Sequence, residues 1–170
     1  MCLENDAFYE YLHGNCQRDE SMFIRALTDK SYKNIDHKIN DNETNSSLST
    51  YGDAVLKLAL CKILYEKGSE RITDEKKDYE TDKTLVEHIA RHYGLIDFIK
   101  YDVNDKNIPH SYDYKGDSHK FIATAVEALL AVFFIEKNAD INEVCKVVRG
   151  WMEIIDDASI PKKNKSEETV

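Results

Sequence analysis

Glycine and proline are scarce, 6 and 2 residues in a chain of 170. Sheet-rich domains need turn residues at short intervals, and the apolar residues here recur at helical rather than alternating spacing. Sheet-rich classes are therefore poorly supported and a mostly helical fold is expected. No CxxC pair occurs among Cys2, Cys16, Cys61 and Cys145. Two of these thiols lie in apolar helical runs, where cysteine serves as a small core residue, which points to a reducing compartment. No run reaches the ~18 apolar residues of a membrane span. The start, MCLENDAFYEYLHGN, is acidic where a signal peptide needs basic residues and an apolar stretch. The expectation is an intracellular chain, cytoplasmic or nuclear, without a membrane partner. Positive charge is also short: 23 Lys and Arg stand against 32 Asp and Glu, a net −9. That is the wrong sign for gripping a polyphosphate through the overall field, so nucleic-acid binding gets no help from bulk charge.

What is present is 42% hydrophobic residues in a length suited to one domain. Phe8, Tyr11 and Leu12, then Met22, Phe23, Ala26 and Leu27, suit two short helices broken near His13 and Gly14. Lys33 to Ser47 reads as a loop whose Ser46, Ser47 and Ser49 hydroxyls are candidate caps for the next helix. That helix, Leu48 to Lys67, is apolar on nearly every side and is expected in the middle of a bundle. Ile72 to Tyr93 is highly charged, with Leu85, Val86, Ile89, Ala90 and Tyr93 as an inward face and Gly94 as a stop, and reads as a surface helix with another before it. A long loop holding Pro109 and Gly116 follows. Phe121 to Ile135 is an apolar helix interrupted at Thr124 and Glu127, and an amphipathic helix spans about Ile141 to Ile155. Residues 1–156 are expected to form the domain and 157–170 a disordered tail.

Two acids stand out. Glu127 lies in an otherwise apolar helix, where a lone ionised carboxylate costs several kcal/mol unless it is protonated, faces a cleft or shares a cation. Asp53 sits in the first turns of the other apolar helix, where interaction with the helix dipole also accounts for it. If the two helices pack together, their carboxylates meet and offer a magnesium or manganese site.

ALTDKSY, NSSLSTYGDAVL, TLVEHIARHYGL and ATAVEALLAVFFIE, in this order and at these separations, resemble the ribonuclease III endonuclease domain over about Met22 to Trp151. In that family the second block reads approximately NERLEFLGDAVL and the last approximately ADTFEALIGAIYLD. The resemblance implies an all-α, ribonuclease III-like helical bundle that dimerises and cuts double-stranded RNA by metal-assisted hydrolysis. Carried across residue by residue, the family's acids include Asp53 and Glu127, while the other acid positions fall on Ser46, Ser49 and Thr124. A hydroxyl does not supply a carboxylate's charge, so metal affinity should fall. The implication is a catalytically impaired domain acting as a structural or dimerisation partner in RNA processing. The alternative is an active nuclease whose magnesium or manganese is held by Asp53 and Glu127 alone. At the family's interface, the phenylalanine that inserts into the partner falls on Thr50, followed by Tyr51, so a homodimer or a heterodimer with an intact relative is open. Double-stranded RNA stays possible as a partner but is disfavoured by net charge.

Other signals carry less. His88 and His92 have zinc-compatible spacing without an evident third ligand. Lys76 and Lys77 belong to a solvated charged run, Lys162, Lys163 and Lys165 to a weakly basic tail, and His110, Tyr112 and Tyr114 with Lys115 and Lys120 suit single-strand stacking or simple surface anchoring.

Overall fold

Asp6 and Asp19 start the first two helices. Each carboxylate accepts from two backbone N–H groups in the first turn, those of Phe8 and Tyr9 in α1 (Ala7–Leu12) and those of Ser21 and Met22 in α2 (Glu20–Ala26). The structure is a computed structural model and describes residues 6–14, 17–106, 108 and 119–159. Beyond α2 the chain passes through two short 3₁₀ turns, Lys30–Asn34 and Asp41–Glu43, into the long helix α3 (Ser46–Glu66). The loop ahead of α3 is tied down by its backbone. Asn45 N–H donates to Thr28 O at 2.8 Å, and Leu27 to Asp29 pair with Lys100 through the Asp29 N–H (2.9 Å) and Lys100 N–H (2.8 Å).

The charged stretch over residues 72–93, expected as a surface helix with another before it, divides further into α4 (Ile72–Glu75), α5 (Lys77–Glu80), α6 (Asp82–Thr84), a widened π turn over Leu85–Ala90, and α7 (Arg91–Tyr93). Thr81 is the physical cause of one break. Its backbone is extended, with ψ of 147°, and its hydroxyl accepts from Thr84 N–H, so it caps a new helix rather than continuing the old one. Gly94 ends the stretch in the left-handed region, φ 61°, as its position in the sequence predicts. α8 (Lys120–Glu136) and α9 (Ile141–Ser159) complete the fold. α9 runs past the expected domain end at 156, with Ser159 Oγ still bonded to Ile155 O at 2.9 Å. Pro109, His110, Tyr112, Tyr114, Lys115, Gly116 and the Lys162, Lys163 and Lys165 cluster lie outside the described residues.

Helices α3 and α8 pack against each other along the middle, with α9, the π turn and α2 around them. α8 buries nearly its whole length, from Phe121 to Phe134. Phe8 fixes α1 to this core, lying edge-on to Trp151 at 5.2 Å and to Tyr93 at 5.1 Å. The Tyr93 hydroxyl donates to Asp6 Oδ2 at 2.6 Å, and burial together with that carboxylate pushes its pKa far up, so it stays protonated as a structural donor. Among the described residues no helix is long and apolar enough to cross a membrane.

Two local expectations need correction. Ser46, Ser47 and Ser49 do not cap α3: Asn45 holds the cap position without a side-chain capping bond, and the Ser49 and Thr50 hydroxyls donate back to Ser46 O at 3.0 and 3.3 Å. Nor is α3 enclosed on all sides. Tyr51, Leu58 and Tyr65 are 44%, 55% and 77% exposed.

Candidate functional site: an acid pair beside a hydroxyl-lined cavity

Gly52 sets the distance between α3 and α8. A Cβ placed on it would overlap the carbonyl oxygen of Glu127 and stand 2.5 Å from the carbonyl carbon, so only glycine lets the two backbones touch here. The neighbouring side chain on α3 is Asp53, and the contact therefore brings the two acids of the sequence reading to the same crossing point. Burial, then the charge of Asp53 and that of Asp82, lift the Glu127 carboxyl to about 7, while Lys57 and Lys120 pull the other way.

Lys57 is the feature that sequence reasoning passed over. One turn after Asp53, its ammonium donates to Asp53 Oδ2 at 2.7 Å, and the pairing holds the lysine pKa up. The i, i+4 spacing is the signal that could have revealed it. Asp82, on α6, and Lys120, at the start of α8, approach each other at 3.9 Å and complete the charged surroundings of Glu127. Among the described residues no group of three or more Asp, Glu, His or Cys side chains is arranged to hold a metal ion. His88 and His92 acquire no third ligand, and His92 lies edge-on against Tyr93 at 4.9 Å. The donor set thus amounts to two carboxylates, one already paired with an internal ammonium. A divalent ion usually finds more charge than that, and the residues present do not fit a cation site built on several acids.

Ser46, Ser49 and Thr124 also come together, but around a cavity of about 390 Å³ that neither Asp53 nor Glu127 lines. Thr124 Oγ1 donates to Lys120 O at 3.0 Å, as Ser49 does to Ser46 O, so these two hydroxyls are satisfied within their own helices, while Ser46 Oγ lies 3.4 Å from Thr44 Oγ1. Asp29, Lys30, Asn45, Asp105 and Lys120 line other parts of the same space, so two carboxylates stand there with two ammonium groups.

The outward face of α3 carries Tyr51, Ala54, Leu58, Cys61 and Tyr65, alternating steps of three and four residues along one exposed seam. Tyr51 rests against Phe134 at 6.0 Å between ring centroids, and Ile135 nearby is 42% exposed. Thr50 is exposed at the edge of this surface. Cys61 within this strip is half-buried, while Tyr51, Leu58 and Tyr65 stand exposed.

Residues 46–138 match the profile described as the ribonuclease III domain, more than half of the chain. Ribonuclease 3 1 from Nostoc sp. (strain PCC 7120 / SAG 25.82 / UTEX 2576) is 25% identical over 162 residues, which cover 90% of this chain and 68% of that protein. Ribonuclease 3 from Pelagibacter ubique (strain HTCC1062) is 27% identical over 140 residues, 81% of this chain and 57% of that protein. The chain thus spans only part of the length of these relatives. Two crystal structures of the nuclease domain of ribonuclease III from Campylobacter jejuni share the fold, with TM-scores of 0.66 and 0.65 at 22% and 21% identity. They cover 88% and 95% of this chain and 96% and 99% of their own.

Proposed function

The chain belongs to the ribonuclease III domain family, and from that premise we propose that it serves double-stranded RNA processing as a catalytically impaired domain, contributing structure and dimerisation rather than cleavage. The family is one of double-stranded RNA processing. The observation that carries the impaired reading is the Lys57–Asp53 ion pair at 2.7 Å, with hydroxyls at the remaining acid positions. An ammonium bonded to Asp53 occupies the electrostatic role that a divalent cation would otherwise take beside Glu127.

The test is incubation of duplex RNA with the chain in magnesium or manganese, alongside Asp53→Asn and Glu127→Gln. No cutting by any of the three is expected, and addition of either metal leaves the melting temperature unchanged. A second reading, an active nuclease with a reduced site, draws on the adjacency of Asp53 and Glu127. Cutting that either substitution abolishes would establish it and overturn the first.

The dimerisation part rests on the α3 seam, and its occupant is a second copy of this chain. Read from either end, the seam runs Tyr, small residue, Leu, small residue, Tyr. A two-fold axis through Leu58 then sets Tyr51 against the partner's Tyr65, each seven residues from the axis, with α3 antiparallel to its copy. That self-complementarity is what an isologous interface requires. It also supplies large aromatic anchors in place of the family's phenylalanine, which is Thr50 here. Leu58→Asp should convert a dimer to a monomer in sedimentation, because two carboxylates would meet on the axis. A wild-type chain that sediments as a monomer at all concentrations overturns this interface.

A further inference from the structure

Asp29 is only 5% exposed, yet half of its carboxylate is unused: Oδ1 accepts from Ser31 N–H at 2.8 Å, and among the described residues no donor is bonded to Oδ2. That oxygen is not sealed in. Asp29 lines the cavity of about 390 Å³, so a buried negative charge faces it with lone pairs to offer. The Ser49 and Thr124 hydroxyls, which line it too, donate to carbonyls of their own helices and are left as acceptors, and Asp105 adds a second carboxylate. The cations lie further out. Lys30 and Lys120 are exposed, and the Lys120 ammonium stands 3.9 Å from Asp82. Negative charge within, positive charge at the mouth and apolar lining from Ile108 and Phe121 give the space a direction.

We propose that this cavity binds a free basic α-amino acid, with its cationic side chain on Asp29 and its α-carboxylate toward Lys30 and Lys120. Two carboxylates and two ammonium groups together discriminate against simple ions of either sign: a polyamine brings like charge to the lysines, and a phosphate ester brings it to Asp29 and Asp105. A molecule with a cation at one end, an alkyl stem and a carboxylate at the other meets all of the lining. The volume suits one such small ligand. Asp53 and Glu127 do not line this space, so the proposal goes beyond the reading given above and does not depend on it.

NMR titration of the isotope-labelled chain with L-arginine at constant ionic strength tests it, with L-citrulline and agmatine as comparisons. Citrulline keeps the shape without the side-chain charge, and agmatine keeps the guanidinium without the carboxylate. Saturable shifts at the Asp29, Ser31, Ser49 and Thr124 amides are expected at millimolar arginine, none with citrulline, and agmatine should bind roughly tenfold more weakly, the factor for about one charge-assisted hydrogen bond. Asp29→Asn keeps an acceptor for Ser31 N–H and should abolish arginine binding. Lys30→Ala, an exposed change that leaves the fold intact, should weaken arginine by roughly tenfold without weakening agmatine, and this split decides the matter even where Asp29→Asn fails to fold. Absent shifts, an equal response to citrulline, agmatine binding as tightly as arginine, or a folded Asp29→Asn that binds arginine like wild type overturns the proposal. Cleavage of duplex RNA by the chain would overturn the impaired reading and leave this one standing.

Discussion

Gly52→Ala should destabilise the domain by about 3 kcal/mol and lower its melting temperature by roughly 10 °C. The added methyl meets the backbone of Glu127 rather than the end of a flexible side chain, and it overlaps the carbonyl oxygen outright. Neither helix can yield locally, because α8 is buried along nearly its whole length and α3 is buried on the face toward it. Relief requires α3 and α8 to move apart, which opens gaps among side chains packed at van der Waals distance on both sides of the contact. Helix propensity works in the opposite direction, since alanine favours a helix over glycine by about 1 kcal/mol, and the steric cost exceeds it. Gly150→Ala in α9 isolates that propensity: a Cβ there meets nothing within 4 Å, so the same change should stabilise by up to about 1 kcal/mol. Thermal melts of both variants check the pair of opposite signs. A Gly52→Ala protein as stable as wild type would mean that the two helices do not touch at this point. Because the same contact brings Asp53 to Glu127, the variant should also shift the Glu127 titration toward the ordinary carboxylate range.

The long helices were legible because burial leaves a periodic trace. Leu48, Val55, Leu56, Ala59 and Ile63 on α3, and Val144, Val148, Trp151 and Ile155 on α9, repeat at helical spacing and are buried as that spacing demands. The fold class and the family followed from them and from the ordered blocks around Asp53 and Glu127. Less of the site could be read. Periodicity reports which residues are apolar, not which apolar face meets the core, so the exposed seam through Leu58 looked like one more side of a central helix. Gly52 carries no side chain whose chemistry hints at a crossing point, and its meaning depends on a residue 75 positions further along the chain. Lys57 was visible as a charge in an apolar run, but its partner is local, and attention to the acids as a ligand pair obscured the simpler ion pair one turn away. That another helix precedes the one ending at Gly94 was legible, but the place of the break was not: a threonine in a charged run has no distinctive pattern until its hydroxyl is seen to bond Thr84 N–H.

Glu127→Gln should stabilise the domain at pH 8 and leave it nearly unchanged at pH 4. In the folded chain, burial first and then Asp53 and Asp82 raise the Glu127 pKa from 4.5 to about 7, against the opposing pull of Lys57 and Lys120. Below pH 4.5 the group is protonated in both the folded and the unfolded states and contributes no pH dependence. Between 4.5 and 7 the unfolded chain has released this proton while the folded chain still holds it. Stability therefore falls as pH rises through that window and levels off above about 7. A rise of this size corresponds to about 3 kcal/mol, which solvent reaching the partly buried carboxyl reduces to about 2 kcal/mol. Glutamine keeps the shape and has no proton to lose, so the variant gains that amount at pH 8. Denaturant melts at pH 4 and pH 8 read it directly: the wild-type loss across the window should shrink in the variant, after subtraction of the pH dependence the two proteins share. The same experiment bears on Lys57. Lys57→Met removes the cation nearest the pair and leaves Asp53 and Glu127 facing each other, so the Glu127 titration should move further up and the wild-type loss across the window should grow. An unchanged titration would mean that the ammonium bonded to Asp53 exerts no hold on the second acid, and the case for an internal cation in place of a metal would fail with it.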